Sequence, residues 1–375
     1  MRIVIVTGIW PPDVGGPASH APEVAEFLRD RGHEVEVVTT APAAPAPEAY
    51  PVHWISRAQP VLLRYVRGAL LVRRAARGAD VVYSTGMYGR TRVGSLLARV
   101  RSVVKLTGDP AYERAFRYGL TRLPIEEFQR SHDPRIAWLK VVRDLTLWGA
   151  YRYVIPSASL GTLAGEWHLV RDDRIVVLPN PISVPELGDH DVLRERHGFE
   201  GPTLAFAGRL SLQKSLDVAL RAVAACEGVA LVLAGDGPER SRLESFVADL
   251  GVGDRVQFLG AQPRETVLEL LAAADAELLS SGWENFPHSL IEGLAVGTPV
   301  ISTDVGGVGE IVTDGLNGLL VPPDDPQALA AAIRRFFADE ELRVRLRAAA
   351  PGSVARFAPE PVYACLEAML EEAAR

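Results

Sequence analysis

Two cations and two carboxylates carry the first chemical signal in this sequence. Arg209 and Lys214 follow one short apolar run, and Glu284 and Glu292 follow another. A guanidinium offers a fork of donors and an ammonium a point charge, so the pair suits a diphosphate. A carboxylate accepts from two hydroxyls at once, which suits a sugar or a ribose diol. Around these four stand Gly208, Leu210, Gly235-Asp236-Gly237-Pro238, Leu259-Gly260, Asn285-Phe286-Pro287 and Gly306-Gly307. Glycines let backbone N–H groups approach a phosphate. Pro287 suits the opening of a helix stopped by Gly297, whose free N–H groups favour an anion. Each piece taken alone also reads as a surface cation, a tight turn or charge compensation at a helix start. Lysine stands at only three positions, Lys105, Lys140 and Lys214, in a chain that otherwise uses arginine. A lysine kept in such a background points to a need for a compact charge.

These residues need a scaffold that gathers them, and the chain supplies one. Apolar runs rich in Val and Ile recur at Arg2–Thr7, Glu34–Thr39, Val52–Ile55, Val81–Ser84, Val103–Leu106 and Tyr153–Pro156. A second series occupies Thr203–Ala207, Ala230–Leu233, Val256–Leu259, Ala276–Leu279 and Pro299–Ser302. Helical patterns such as Ala18–Asp30 and Val61–Ala76 lie between them. Strand–helix alternation of this kind makes doubly wound parallel sheets, which bind ligands at the carboxyl ends of their strands. The chemical residues all follow strands. In the first series, Pro11-Pro12-Asp13-Val14-Gly15-Gly16 follows the first strand, without the glycine spacing of a dinucleotide site. Leu178-Pro179-Asn180-Pro181 forbids regular structure and is expected to be the hinge between two domains. The expected organisation is an acceptor domain over residues 1–180, a donor domain over 181–355 and a final helical segment over 356–375.

Bulk properties agree with a folded enzyme. The 375 residues exceed one ordinary core and suit two α/β domains. Cys226 and Cys365 have no metal-type spacing, so a reducing cytoplasm is expected. The opening apolar run is too short for a leader or a span and is expected to be a strand. Charge is uneven: residues 57–122 hold fourteen basic and three acidic side chains against a net −7 for the chain. Such a stretch suits a solvated set of helix faces or contact with an anionic surface. An acidic chain without a readout motif is a poor fit to nucleic acid.

The pattern Gly208-Arg209-Leu210…Lys214, Gly235-Asp236-Gly237-Pro238, Glu284-x7-Glu292 with Gly293-Leu294-Ala295…Gly297-Thr298-Pro299-Val300, Gly306-Gly307…Glu310 and Asn317-Gly318-Leu319-Leu320-Val321 resembles the GT4 family of retaining glycosyltransferases. The resemblance implies the GT-B fold, two Rossmann-like domains facing across a cleft, with a last helix returning to the first domain. It implies sugar transfer from a nucleotide-diphospho-sugar to an acceptor hydroxyl, with retention and without a bound metal or other cofactor. Arg209 and Lys214 would then hold the diphosphate, Glu284 the sugar and Glu292 the ribose. Gly15 and Gly16 would lie near phosphate and acceptor, Leu259-Gly260 would meet the base, and Gly208, Gly235, Asn285, Phe286 and Pro287 would be further donor contacts. Val305 to Val308 would cap phosphates and sugar. Many members carry a histidine after the strand matching Val103–Leu106. Here Thr107-Gly108-Asp109-Pro110 stands there, which makes Asp109 the candidate in its place. Ser215 and Gly309 also depart from the usual Gly and Pro. The acceptor is expected to be a glycan, a lipid-linked compound or a small molecule, and the protein cytoplasmic, with peripheral contact to an anionic membrane through its Arg-rich half. The same fold hosts disaccharide synthases and nucleotide-sugar epimerases. A non-catalytic nucleotide-sugar-binding protein is the further alternative, against which the full set of Arg209, Lys214, Glu284 and Glu292 speaks.

Overall fold

A strand covered by helices on both faces must be apolar on both faces. Ile3–Val6 and Val81–Tyr83 meet that demand, since every residue in each run is buried. The computed structural model describes residues 1–13 and 16–375, with residues 16, 17, 19 and 126 described by their backbone alone. The chain divides into two compact units, one made of Met1–Pro179 with Val362–Arg375, the other of Asn180–Pro361.

The first unit holds a seven-stranded sheet. Its strands are β1 (Arg2–Val6), β2 (Glu34–Ala41), β3 (Val52–Ser56), β4 (Val81–Ser84), β5 (Ser102–Lys105), β6 (Arg152–Ile155) and β7 (Ile175–Val177). They lie in the order β3-β2-β1-β4-β5-β6-β7 and pair in parallel throughout. Alternation assigns the faces. Ile3, Ile5, Tyr83 and Val103 pack with the Gly16–Asp30 and Pro359–Ala374 helices, while Val4, Val6 and Val82 pack with Val61–Ala76. Each such side chain contributes about 1.5–3 kcal/mol on burial. The final helix is fastened by polar contacts as well. Glu367 accepts from His33 at 2.8 Å and Arg31 at 3.1 Å, and Tyr363 Oη donates to Glu23 at 2.7 Å.

The second unit holds six parallel strands: β8 (Thr203–Ala207), β9 (Ala230–Ala234), β10 (Val256–Gly260), β11 (Ala276–Leu279), β12 (Val300–Thr303) and β13 (Gly318–Val321). Their order is β10-β9-β8-β11-β12-β13. The order reverses between β8 and β11, and a crevice opens at such a point because the following loops part to opposite faces. The eleven runs read as strands in the sequence all become strands, within a residue or two at the ends. β7 and β13 were not foreseen, and both are edge strands. β7 has only three residues. β13 opens on Gly318, where a Cβ would lie 2.5 Å from the Val300 carbonyl oxygen, so glycine is what lets it approach β12. Among the described residues, no helix is long and apolar enough to cross a membrane.

Candidate functional site

The loops at the β8–β11 reversal bring the main candidates together. After β8 the chain runs through Arg209 to a short turn over Leu212–Lys214, and after β11 through Ser280 to Pro287. Lys214 Nζ donates to Glu284 Oε1 at 2.6 Å, and Ser281 Oγ donates to the same oxygen at 2.6 Å. Gln213 Nε2 donates to the Trp283 carbonyl at 3.0 Å and reaches Glu284 Oε2 at 3.5 Å. Glu284 is buried, so its charge depends on these donors. Ser281 and Gln213 were not read from the sequence. Arg209 is exposed and, among the described residues, makes no hydrogen bond or ion pair. It is therefore a cation available to a ligand, while Lys214 already neutralises a carboxylate.

Local strain explains one departure from the family pattern. Ser215 sits in the left-handed region with φ 43° and ψ 44°, where glycine is at ease and other residues lose about 1–2 kcal/mol. Ser280 Oγ holds the turn by donating to the carbonyls of Lys214 at 2.9 Å and Ser215 at 3.0 Å. Gly282 N donates to the Gln213 carbonyl at 2.9 Å and ties the two loops again.

The glycines do their work mainly between loops. A Cβ on Gly306, at φ +53°, would lie 1.8 Å from the Glu284 carbonyl oxygen, and Gly307 N donates to that oxygen at 3.2 Å. A Cβ on Gly235 would lie 1.8 Å from the Gly208 carbonyl oxygen. These positions set the loops that carry Glu284 and Arg209 rather than merely leaving room for a phosphate.

Pro287 precedes the His288–Ala295 helix as its N-cap, and no side chain caps that end. Phe286 turns inward and meets Phe357 edge-on at 5.5 Å, so it belongs to the core. Asn285 is half-buried in the same loop. Leu259 lies on the edge strand β10, its carbonyl accepting from Gln262 at 2.7 Å. Glu292 is gripped by Arg264 through Nε at 2.9 Å and Nη2 at 2.8 Å. Burial pushes the Glu292 carboxyl up, against the pull of Arg264. Arg264 was not read from the sequence, because the pairing exists only once the two helices meet.

Beneath this cluster lies a carboxyl that sequence reading missed. Glu277, on β11, is 1% exposed, and neither carboxyl oxygen makes a well-aligned hydrogen bond among the described residues. Gly293 makes its room, since a Cβ there would lie 2.3 Å from Oε2. Burial pushes the carboxyl up to about 8; the Ser289 hydroxyl and Lys214 oppose the rise, and Glu292 and Glu284 add to it. The folded state therefore keeps a proton that the unfolded chain loses above about 4.5. Stability falls as pH rises between those values, by up to about 5 kcal/mol. Glu277→Gln should remove that slope. Urea unfolding should show the variant gaining on the parent steadily from pH 5 to pH 8, and a gap independent of pH would refute the assignment.

In the first unit, Val14 and Gly15 lie outside the described residues, and Gly16 opens its helix. Asp13, just before them, is held by Arg57, which lowers its carboxyl. The expectation that Asp109 replaces the family histidine as a ligand contact meets a fully occupied carboxylate. Oδ1 accepts from the backbone N–H groups of Ala111 at 2.7 Å and Tyr112 at 3.3 Å, capping the Pro110–Arg117 helix. Oδ2 accepts from Gln129 at 2.6 Å and Arg143 at 2.7 Å. All four lone-pair sites are in use. Of the other lysines, Lys140 donates to the carbonyls of Gln129 and Ser131. Lys105, on β5, is buried, and desolvation pushes its ammonium down to about 7.

Comparison with known proteins agrees with this picture. A family model described as glycosyl transferases group 1 matches residues 189–352, and one described as glycosyl transferase 4-like domain matches residues 15–181. The chain is 40% identical over 147 residues to the lipopolysaccharide core biosynthesis glycosyltransferase LpsE of Rhizobium meliloti, a match covering 39% of this chain and 43% of that protein. It thus spans less than half the length of that relative. An uncharacterized glycosyltransferase of Methanocaldococcus jannaschii is 26% identical over 360 residues, 90% of each chain. Among solved structures, Anabaena HepE in complex with UDP superposes with a TM-score of 0.80 at 22% identity, over 99% of this chain and all of that one. The likeness shows a shared fold.

Proposed function

The chain belongs to the group 1, GT4-type glycosyl transferases, and from that membership we propose that it transfers a sugar from a nucleotide-diphospho-sugar to an acceptor hydroxyl with retention at the anomeric carbon. The observation that carries the reading is the convergence of Lys214, Glu284 and Ser281 at the β8–β11 reversal, with Arg209, unpaired among the described residues, on the same loop system. The acceptor oxygen forms its bond to the anomeric carbon on the face from which the diphosphate departs. The carbon–oxygen bond to phosphate breaks, its electron pair stays on the phosphate oxygen, and that oxygen takes the acceptor's proton. Arg209 and Lys214 stabilise the charge that grows on the leaving group, a contribution of about 3–4 kcal/mol for one well-placed donor. Glu284, released from Lys214 when phosphate takes the ammonium, accepts from sugar hydroxyls. Glu292, oriented by Arg264, accepts from the ribose.

The reaction needs no metal in this scheme, because the two cations supply the charge. The acceptor is a lipid-linked or anionic glycan, reached through peripheral contact of the first unit with an anionic membrane surface. LpsE, named for lipopolysaccharide core synthesis, supports that choice. HepE, solved with UDP, makes UDP-sugars the first donors to try. Incubation with labelled nucleotide sugars and candidate acceptors, read by NMR, should give a glycoside with the donor's anomeric configuration. An inverted product would overturn the mechanism, and epimerised donor without transfer would overturn the function.

A further inference from the structure

The Pro134–Leu147 helix turns an apolar stripe to water. Trp138, Val141 and Leu145 recur on it at helical spacing, and Trp148 extends the row just past its end; they are 65%, 47%, 47% and 52% exposed. The inner face is filled by Ile136, Leu139, Arg143 and Leu147. The outer residues therefore leave much of their apolar surface to water, whereas a surface helix ordinarily shows polar residues there.

Two neighbouring helices extend the stripe. A Cβ on Gly89, in the Tyr88–Ala98 helix, would lie 2.6 Å from the Tyr65 hydroxyl and 3.0 Å from the Thr146 methyl. Tyr65 belongs to Val61–Ala76 and Thr146 to Pro134–Leu147, so the three helices form one layer. On it Leu62, Val66, Leu70, Leu96 and Leu97 are also exposed. Exposed apolar side chains gathered on one helical layer in this way mark a candidate interaction surface.

Charge selects the partner. Arg67, Arg74, Arg77 and Arg99 stand exposed on the same helices or at their ends. Arg92 lies over the Trp148 ring at 4.6 Å and donates to its carbonyl at 2.9 Å. A second copy using this face would bring like charges together across a two-fold axis. An anionic bilayer meets both features, since arginine stems bury along apolar surface with their heads in the headgroup layer, and tryptophan favours that level.

We propose that this face docks on an anionic lipid surface and inserts the Trp138–Trp148 stripe among the headgroups and upper acyl chains. The inference deepens the reading of a lipid-linked acceptor and rests on it for the use of such docking. It goes further than contact by charge, which salt would release. Apolar insertion leaves part of the binding at high salt.

The test uses the whole protein with vesicles of phosphatidylcholine alone and of phosphatidylcholine mixed with phosphatidylglycerol. Cosedimentation should show binding to the mixed vesicles, a blue shift of tryptophan emission, and a bound fraction that survives high salt. Trp138→Ser with Leu145→Ser should lower partitioning by about tenfold or more. Both side chains are exposed, so thermal stability should be unchanged. Binding wholly released by salt and indifferent to the double variant would overturn the proposal. So would absent vesicle binding together with a dimer that the variant dissociates, which would assign the face to a second copy. A donor-induced rise in Tm, measured on the same samples, judges the transferase reading separately. If it persists while vesicle binding fails, only the docking proposal falls.

Discussion

Lys214→Ala is expected to lower both turnover and stability, whereas Arg209→Ala is expected to lower turnover alone. The two cations have the same proposed task at the leaving diphosphate, where loss of one donor typically lowers the rate about a hundred- to a thousandfold. Their surroundings differ. Lys214 is paired at 2.6 Å with Glu284, whose side chain is 6% exposed. Removing the ammonium leaves that carboxylate to Ser281 and Gln213. Breaking a fully buried pair costs about 3–5 kcal/mol, and the donors that remain here should hold the loss to about 2–3 kcal/mol. Arg209 is exposed and makes no such bond among the described residues, so its stability change should stay within about 0.5 kcal/mol. Urea titration and initial rates on both variants check this. Near-normal turnover in either would remove it from the site, and equal stability losses would contradict the geometry.

The second large effect is expected in the first unit. Asp109→Ala should destabilise the fold by about 3–5 kcal/mol, because it strips a buried ion pair and a helix cap together. Arg143 is 3% exposed at its side chain and, among the described residues, would keep only Asp144, at 2.8 Å, as an ionic partner. Denaturant unfolding of Asp109→Ala should show the loss in a transition that a bound nucleotide does not rescue, since the proposed diphosphate cations Arg209 and Lys214 belong to the other unit. A variant with parental stability but no activity would show instead that Asp109 touches a ligand.

Asp109 also shows how one sequence position can carry two readings. Its position after β5 suggested a substitute for a missing histidine, yet Asp109-Pro110 is equally a cap followed by proline in the first helical turn, a signal available without coordinates. The strands were legible because parallel strands buried on both faces read as unbroken apolar runs. β13 was not, since Gly318 weakens the pattern and its placement depends on Asn317, whose amide donates to Ile311 and Ser353 and whose oxygen accepts from Thr313. Arg209, Lys214, Glu284 and Glu292 could be picked out by type and position after strands. Ser281, Gln213 and Arg264 could not, because common polar residues acquire a role only from the partner that folding brings to them. Glu277 was hidden for a related reason: a charged residue inside an apolar run gives no hint that Gly293 would leave it space.

Calorimetric titration with a nucleoside diphosphate and the matching monophosphate, on the parent and on Arg209→Ala, tests the central claim most directly. The arrangement of Arg209 and Lys214 predicts that the diphosphate binds about tenfold or more tightly than the monophosphate, and that the gap shrinks when Arg209 is removed. Equal affinities in the parent, or a gap untouched by the substitution, would contradict the assignment of these residues to a diphosphate.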